Sequence, residues 1–356
     1  MKKNWFEEKI EKFSSIGGYQ KPELVEDSIK LDSNENYVIP KQFQNDIISS
    51  ARKNSDIREY PLGGVERLID TISKFVKIPS SMIGVGNGSD QILDLILSNF
   101  ASKETKVLTS NPTFGFFEER CKLYDIPLIA IPFSDDMKLD IKEFTKQSKN
   151  ADILYLDSPN NPTGFQFTKG ELQKLVKSFT GLVIIDEAYG EFSEYSLSSM
   201  AKTQNNLIVV QTLSKSFGLA GLRLGYFIAS KKFTETFMNV LQYPYPVSTI
   251  TIESGIQALE KSKIMIDTVD IIKVERKRII ETLQSFDAFE VFDSKANFVL
   301  FDAHGAYKRI YSALAEQGIS IRKLGKIGNH EGCLRVTIGT KEMNSKFLLA
   351  IRDLLG

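Results

Sequence analysis

The chain has 356 residues, 42% of them hydrophobic and 25% charged, with Lys+Arg and Asp+Glu equal at 45 each. That length can bury a core large enough for one big domain and a smaller one, and the composition is that of an ordinary soluble globular protein. The formal net charge is zero, so no global field draws in nucleic acid or an acidic membrane surface.

The N-terminal residues Met1 to Ile10 are charged and hold Trp5 and Phe6, without the apolar core of a signal peptide. No stretch approaches the roughly 20 apolar residues of a membrane span, and a cytoplasmic location is expected. Trp5, Phe6, Lys9 and Phe13 are spaced for a short amphipathic helix over 4–13, broken by Gly17-Gly18-Tyr19. This segment reads as an arm rather than a domain, too short and too weakly basic to bind DNA as a regulator would. Leu31-Asp32-Ser33-Asn34-Glu35-Asn36 reads as a solvated turn. Arg58-Glu59-Tyr60-Pro61-Leu62-Gly63-Gly64 reads as a second turn.

Gly84-Val85-Gly86-Asn87-Gly88-Ser89-Asp90-Gln91 reads as a glycine-rich turn opening a helix at Ser89 or Asp90. Such a turn offers backbone N–H groups to an anion. A dinucleotide is a competing ligand, although the G-x-G-x-x-G spacing is not met. Short apolar runs then alternate with helical stretches such as Lys169 to Phe179. The runs lie at 106–109, 127–132, 153–156, 182–185, 207–210 and 224–229, and suit strands of a mostly parallel sheet covered on both faces. After about residue 250 the pattern changes. One amphipathic helix is expected over 264–286, then strands at 297–301 and 334–338 around a helix over 306–317.

Polar residues follow several of the runs, where ligands bind in open α/β sheets. They include Asn111-Pro112-Thr113-Phe114, Asp157-Ser158-Pro159-Asn160-Asn161-Pro162-Thr163-Gly164 and Asp186-Glu187-Ala188-Tyr189. Phe114 could equally be core. Ile184-Ile185-Asp186-Glu187 also fits a magnesium site of a nucleotide-binding protein, but no G-x-x-x-x-G-K-[ST] accompanies it. Lys215, after the run 207–210 and between Ser214 and Ser216, can form an imine with an aldehyde if partly desolvated. Arg223, eight residues on, suits a phosphate. An aldehyde that carries a phosphate is pyridoxal 5'-phosphate. Cys121 and Cys333 form no metal-ligand spacing, and a disulfide framework is not expected. His304 and His330 are isolated, which argues against a zinc hydrolase or a His-dependent triad.

The segment from Ser214 to Gly225 resembles the S-K-x-x-G-L-A-G-x-R-x-G stretch of fold-type I aminotransferases of class II, most of all those acting on histidinol phosphate. The resemblance runs from about Tyr19 to Gly339. It implies an α/β fold with an arm over 1–36, a large cofactor domain with a mostly parallel sheet over 37–260 and a smaller α/β domain over 261–356. It implies that Lys215 holds pyridoxal phosphate, that Ser89, Asp90, Ser214 and Arg223 bind its phosphate, and that Phe114 stacks on its ring. Asn161 and Tyr189 would bind the phenolic oxygen, and Asp186 the ring nitrogen. Tyr60 would reach the cofactor of a partner subunit, making a homodimer with shared active sites. Tyr19, Asn36, Arg322 and Arg335 would contact substrate, and the L-x-x-N-E-N string from Leu31 to Asn36 would line the substrate entrance, the alternative to a solvated turn there. The implied reaction transfers an amino group between L-histidinol phosphate and 2-oxoglutarate, in histidine biosynthesis, with no metal. Decarboxylation of a phosphoamino acid, or transamination of aromatic or other phosphorylated substrates, is the alternative on the same cofactor motifs.

Overall fold

The computed structural model describes residues 4–18 and 27–356. Helix α1 (Trp5–Ile16) comes first and buries none of its residues. Strand β1 (Ile29–Leu31) and helices α2 (Lys41–Asn54) and α3 (Gly64–Val76) follow. A seven-stranded sheet then forms from β2 (Ile83–Asn87), β3 (Val107–Asn111), β4 (Leu128–Pro132), β5 (Ile153–Asp157), β6 (Leu182–Asp186), β7 (Leu207–Thr212) and β8 (Leu224–Ile228). Its order is β2-β8-β7-β6-β5-β3-β4. The β7-β6-β5-β3-β4 block is parallel, and β8 runs antiparallel to both of its neighbours.

Alternation along each strand divides the core. Ile184, Ile208 and Val210 pack with Ile92 and Ile96 of α4 (Gly88–Phe100) and with Phe117 of α5 (Gly115–Leu123). Val183, Ile185, Leu207 and Val209 face the other way, onto α6 (Ile141–Gln147) and α7 (Lys169–Ser178). A strand apolar at every position needs this cover on both faces. It is why the runs were readable.

After α8 (Lys231–Thr236) and α9 (Thr249–Glu260), the long helix α10 (Ser262–Gln284) leads to a second sheet. Ile272, Ile279 and Leu283 of α10 are fully buried, as their helical register predicts. The second sheet contains β9 (Glu290–Val291), β10 (Phe298–Asp302), β11 (Ile319–Ile327) and β12 (His330–Thr337), with β1 at its edge beside β11. Helix α11 (Tyr307–Glu316) precedes β11, and α12 (Lys341–Leu355) closes the chain. His330 is buried against Phe292 and bonded to Asp302, a packing role. No helix among the described residues is long and apolar enough to cross a membrane.

Two sequence expectations need correction. The run from Gly84 to Asn87 is a strand, not a turn, and the helix starts at Gly88, before the expected Ser89 or Asp90. Gly84 is small because the Phe227 ring of β8 lies where a Cβ would sit, 2.3 Å away. Of the two readings of 31–36, the solvated turn fails: the segment is folded inside, with Asp32, Asn34 and Asn36 all under 5% exposed.

Gly225 of β8 is what lets α4 approach the sheet. A Cβ there would lie 2.4 Å from Gly88 C and Ser89 N. Backbone on both sides gives it no side chain to push aside. Gly225→Ala is expected to cost about 1–3 kcal/mol of stability, read as a lower denaturation midpoint. Gly170→Ala on α7, where a Cβ meets nothing within 4 Å, is expected to leave the midpoint unchanged or raise it.

Candidate active site

The carboxyl ends of the parallel strands open onto a cavity of about 620 Å³. That is an ordinary size for a small-ligand site, and so is its place beyond the strand ends. Lys215, Ser214 and Thr212 enter it from the end of β7, Asp186 and Tyr189 from β6, Asp157 and Asn161 from β5, and Phe114 from the segment after β3. Ser89 and Asp90 line it at the start of α4, beside Arg223. Arg322 and Arg335 close it from the second sheet, where they are register partners on β11 and β12.

Two expected residues are not at this wall, and a third falls outside the described residues. Tyr19 lies outside the described residues. Tyr60 is 71% exposed and stacks on Tyr245, with centroids 4.3 Å apart, so it does not line the cavity of its own chain. Asn36 is a correction. Its Nδ2 donates to the Ser216 carbonyl at 2.7 Å and its Oδ1 accepts from the Val38 and Ile39 N–H groups. The side chain is therefore engaged behind the lysine loop. Asn34, two residues earlier, reaches the cavity with Asp32 and Ser33 of the same string, as the entrance reading of that string expects, whereas Thr212 and Asp157 were not singled out. An Asp placed like Asp186, last in an apolar run, was the available signal for Asp157.

Asp157 and Asp186 are neighbours because parallel register pairs the last residues of β5 and β6. Both are nearly fully buried. Asp157 accepts from Thr113 Oγ1, Asn160 Nδ2 and the Asn161 N–H at 2.7–2.9 Å. Burial pushes its carboxyl up to about 6, with those bonds pulling against it. Among the described residues Asp186 accepts only from Tyr155 Oη at 3.2 Å and the Ala188 N–H at 3.0 Å. Burial, then the charge of Asp157, pushes it up to about 7. A cation in the cavity would let Asp186 ionise.

The hydrogen bonds also orient donors. Arg335 Nη1 donates to Asn161 Oδ1 at 2.5 Å, which leaves Asn161 Nδ2 as a donor for the cavity. Asn34 Nδ2 donates to Tyr189 Oη at 2.9 Å, so the phenol can direct its own proton elsewhere. Burial pushes the Tyr189 phenol up to about 12, so it stays protonated at neutral pH. Lys215 Nζ donates to the Ser33 carbonyl at 3.0 Å and lies 5.8 Å from the Tyr189 ring centroid. Arg223 is held by Asp90 Oδ2 at 2.8 Å, next to the first turn of α4. That turn has no side-chain cap, and the first N–H groups of a helix attract anions.

Comparison with known proteins agrees with this architecture. Residues 26–351 match the family of class I and II aminotransferases. A histidinol-phosphate aminotransferase from Pyrococcus furiosus is 34% identical over 328 residues, covering 92% of this chain and 92% of that protein. The crystal structure of the histidinol-phosphate aminotransferase from Clostridium acetobutylicum superposes with a TM-score of 0.82 at 27% identity, over 91% of this chain and 98% of that one. The enzyme of that name from Sinorhizobium meliloti, solved in complex with pyridoxal-5'-phosphate, shares the fold at 22% identity and a TM-score of 0.81, over 91% and 90% of the two chains. The chain therefore belongs to the class I and II aminotransferases.

Proposed function

We propose that this aminotransferase moves an amino group between L-histidinol phosphate and 2-oxoglutarate, giving imidazole acetol phosphate and L-glutamate, with pyridoxal 5'-phosphate as cofactor. The observation that carries the reading is the pair of arginines, Arg322 and Arg335, facing one cavity with Lys215. Two guanidinium groups suit a dianionic phosphate, and they also accept a carboxylate. One site can therefore serve both a phosphorylated amine and glutamate.

The residues present fit the cofactor. Gly88 and Gly225 leave the start of α4 bare, and Ser89, Asp90, Ser214 and Arg223 would hold the phosphate there. Asn161 and Tyr189 direct donors toward an anionic oxygen, and Asp186 lacks only a cationic partner. When bound, pyridoxal phosphate supplies an aldehyde that captures amines and a ring that accepts electrons. Asp186 would face the ring nitrogen and, ionised beside it, would keep that nitrogen protonated. Lys215 Nζ, with its amine free, would take the proton from the substrate carbon that bears nitrogen and would return it to the cofactor's aldehyde carbon, on the far side of that nitrogen. The arginines and the segment 32–34 hold the substrate in place meanwhile.

The same reading divides the chain into an arm (1–36), a large cofactor domain (37–260) and a small domain (261–356). The two separate sheets support it, and β1 beside β11 supports an arm docked on the small domain. It also makes the protein a cytoplasmic homodimer in which Tyr60 serves the partner's site. The exposed neighbours Ile57, Leu62, Tyr243 and Tyr245 support a covered face there.

Adding L-histidinol phosphate to the purified holoenzyme is expected to move its visible absorbance into the near ultraviolet, and 2-oxoglutarate to restore it. An unchanged band would overturn the substrate, and release of carbon dioxide from O-phosphothreonine would put a decarboxylase in its place. Asp186→Asn is expected to lower kcat at least a hundredfold. In apo protein it should act oppositely on stability. The raised carboxyl binds its proton more tightly folded than unfolded, so wild-type stability falls as pH rises from about 4 to about 7. Asp186→Asn removes that cost, by on the order of 4 kcal/mol at pH 8 and little at pH 4, read by denaturant titration at both pH values. Tyr60→Phe is expected to weaken cofactor affinity several-fold in equilibrium dialysis, with the dimer intact by sedimentation.

A further inference from the structure

Beyond the cofactor residues and the arginines, the cavity has a wall with different chemistry. It is one face of α5. Phe116, Glu119, Arg120 and Leu123 stand at i, i+3, i+4 and i+7 and all line the cavity. Phe13 and Ile16 of α1 line it beside them. Apart from the two charged residues of α5, this wall is apolar.

The two charges are not equivalent. Arg120 is engaged, with its Nε 3.6 Å from Asp94 Oδ1 and its guanidinium 4.9 Å from the Phe116 ring centroid. Asp94 is held in turn by Tyr124 Oη at 2.8 Å. Glu119 forms no hydrogen bond or ion pair with any described residue. Burial pushes its carboxyl above the usual range, against the pull of Lys122 and Arg120. A half-buried carboxylate without a partner, on a wall that binding would dry further, has an acceptor to offer and a cost until it is used.

We propose that Glu119 is a specificity-determining residue that accepts the side-chain N–H of the substrate's imidazole, with the ring lying among Phe116, Phe13 and Leu123. The proposal rests on the function given above and adds the recognition of the side chain. An imidazole has a flat apolar body and at least one N–H donor, which matches an aromatic wall with a single acceptor. A carboxylate there also favours the imidazolium form, which donates from both nitrogens. Phosphorylated amines without an N–H on the side chain would leave Glu119 buried and unmatched, and a site built to bond a polar group rejects analogues that lack it. Two ends of one molecule are thus recognised separately: the phosphate by Arg322 and Arg335, and the ring by α5.

The test is single-turnover kinetics of the holoenzyme with L-histidinol phosphate, with phenylalaninol phosphate and with L-glutamate, for wild type, Glu119→Gln and Glu119→Ala. For histidinol phosphate, kcat/KM is expected to fall about tenfold in Glu119→Gln and up to about a hundredfold in Glu119→Ala, mostly through KM. Phenylalaninol phosphate should gain or hold. Glutamate, itself an anion, should lose nothing from removal of a carboxylate. A loss shared equally by all three donors, or an unchanged rate with histidinol phosphate, overturns the proposal while leaving the function standing. If wild type converts glutamate but not histidinol phosphate, the function itself fails and the proposal falls with it.

Discussion

Two carboxylates side by side at the ends of parallel strands set the terms for the whole site. Asp157 and Asp186 are neighbours by register, and burial works against ionising both. The protein resolves this asymmetrically. The segment after β5 folds back so that Thr113, Asn160 and the Asn161 N–H all point at Asp157. That folding is also what presents Asn161 to the cavity. Asp186 receives only two weaker bonds, from a tyrosine stacked flat on Phe117 at 3.5 Å and from a backbone N–H. Its remaining demand is for a cation, and the cavity is where one can come from.

The second sheet is joined to the first through the residues that matter for chemistry. Phe298 of β10 packs edge-on against Tyr189 and lies 5.0 Å under the guanidinium of Arg335. Arg335 then reaches Asn161 and the Asp32 carbonyl. Asn34 is fixed by Thr337 and Asn297 and passes that position on to Tyr189. A shift of the second sheet would move the arginines and the donors at Asn161 and Tyr189 together. The placement of Arg335 and the orientation of the donors at Asn161 and Tyr189 are mechanically one unit.

The strands of the larger sheet were legible because burial on both faces leaves a continuous apolar signature. Lys215, Asp186 and Asn161 were legible because each follows such a run or sits in a short polar string after it. Other features failed for identifiable reasons. The glycines of β2 look like a turn, yet Gly84 and Gly86 are small to admit Phe227 and Ile92. Strand β11 half-alternates, and its bulges between Lys323 and Ile327 blur the period. Asn34 and Asn36 are indistinguishable in the sequence as short amides in one polar string. Which of them faces the cavity depends on contacts with Thr337 and Ser216, some 300 and 180 residues away.

Glu119 belongs to the same class of hidden feature. In sequence it is one of two adjacent glutamates before an arginine and looks like solvated helix surface. What changes its meaning is α1, whose Phe13 and Ile16 come to rest beside that face of α5. Lys12, one residue before Phe13, pairs with Asp125 just beyond α5 and pins the two helices together. Helix α1 buries none of its own residues, so a conventional core does not explain its position. Its contribution is to turn one face of α5 from surface into cavity wall. The make-up of that wall therefore depends on α1, a helix that carries none of the residues placed around Lys215, Asp186 and Arg223.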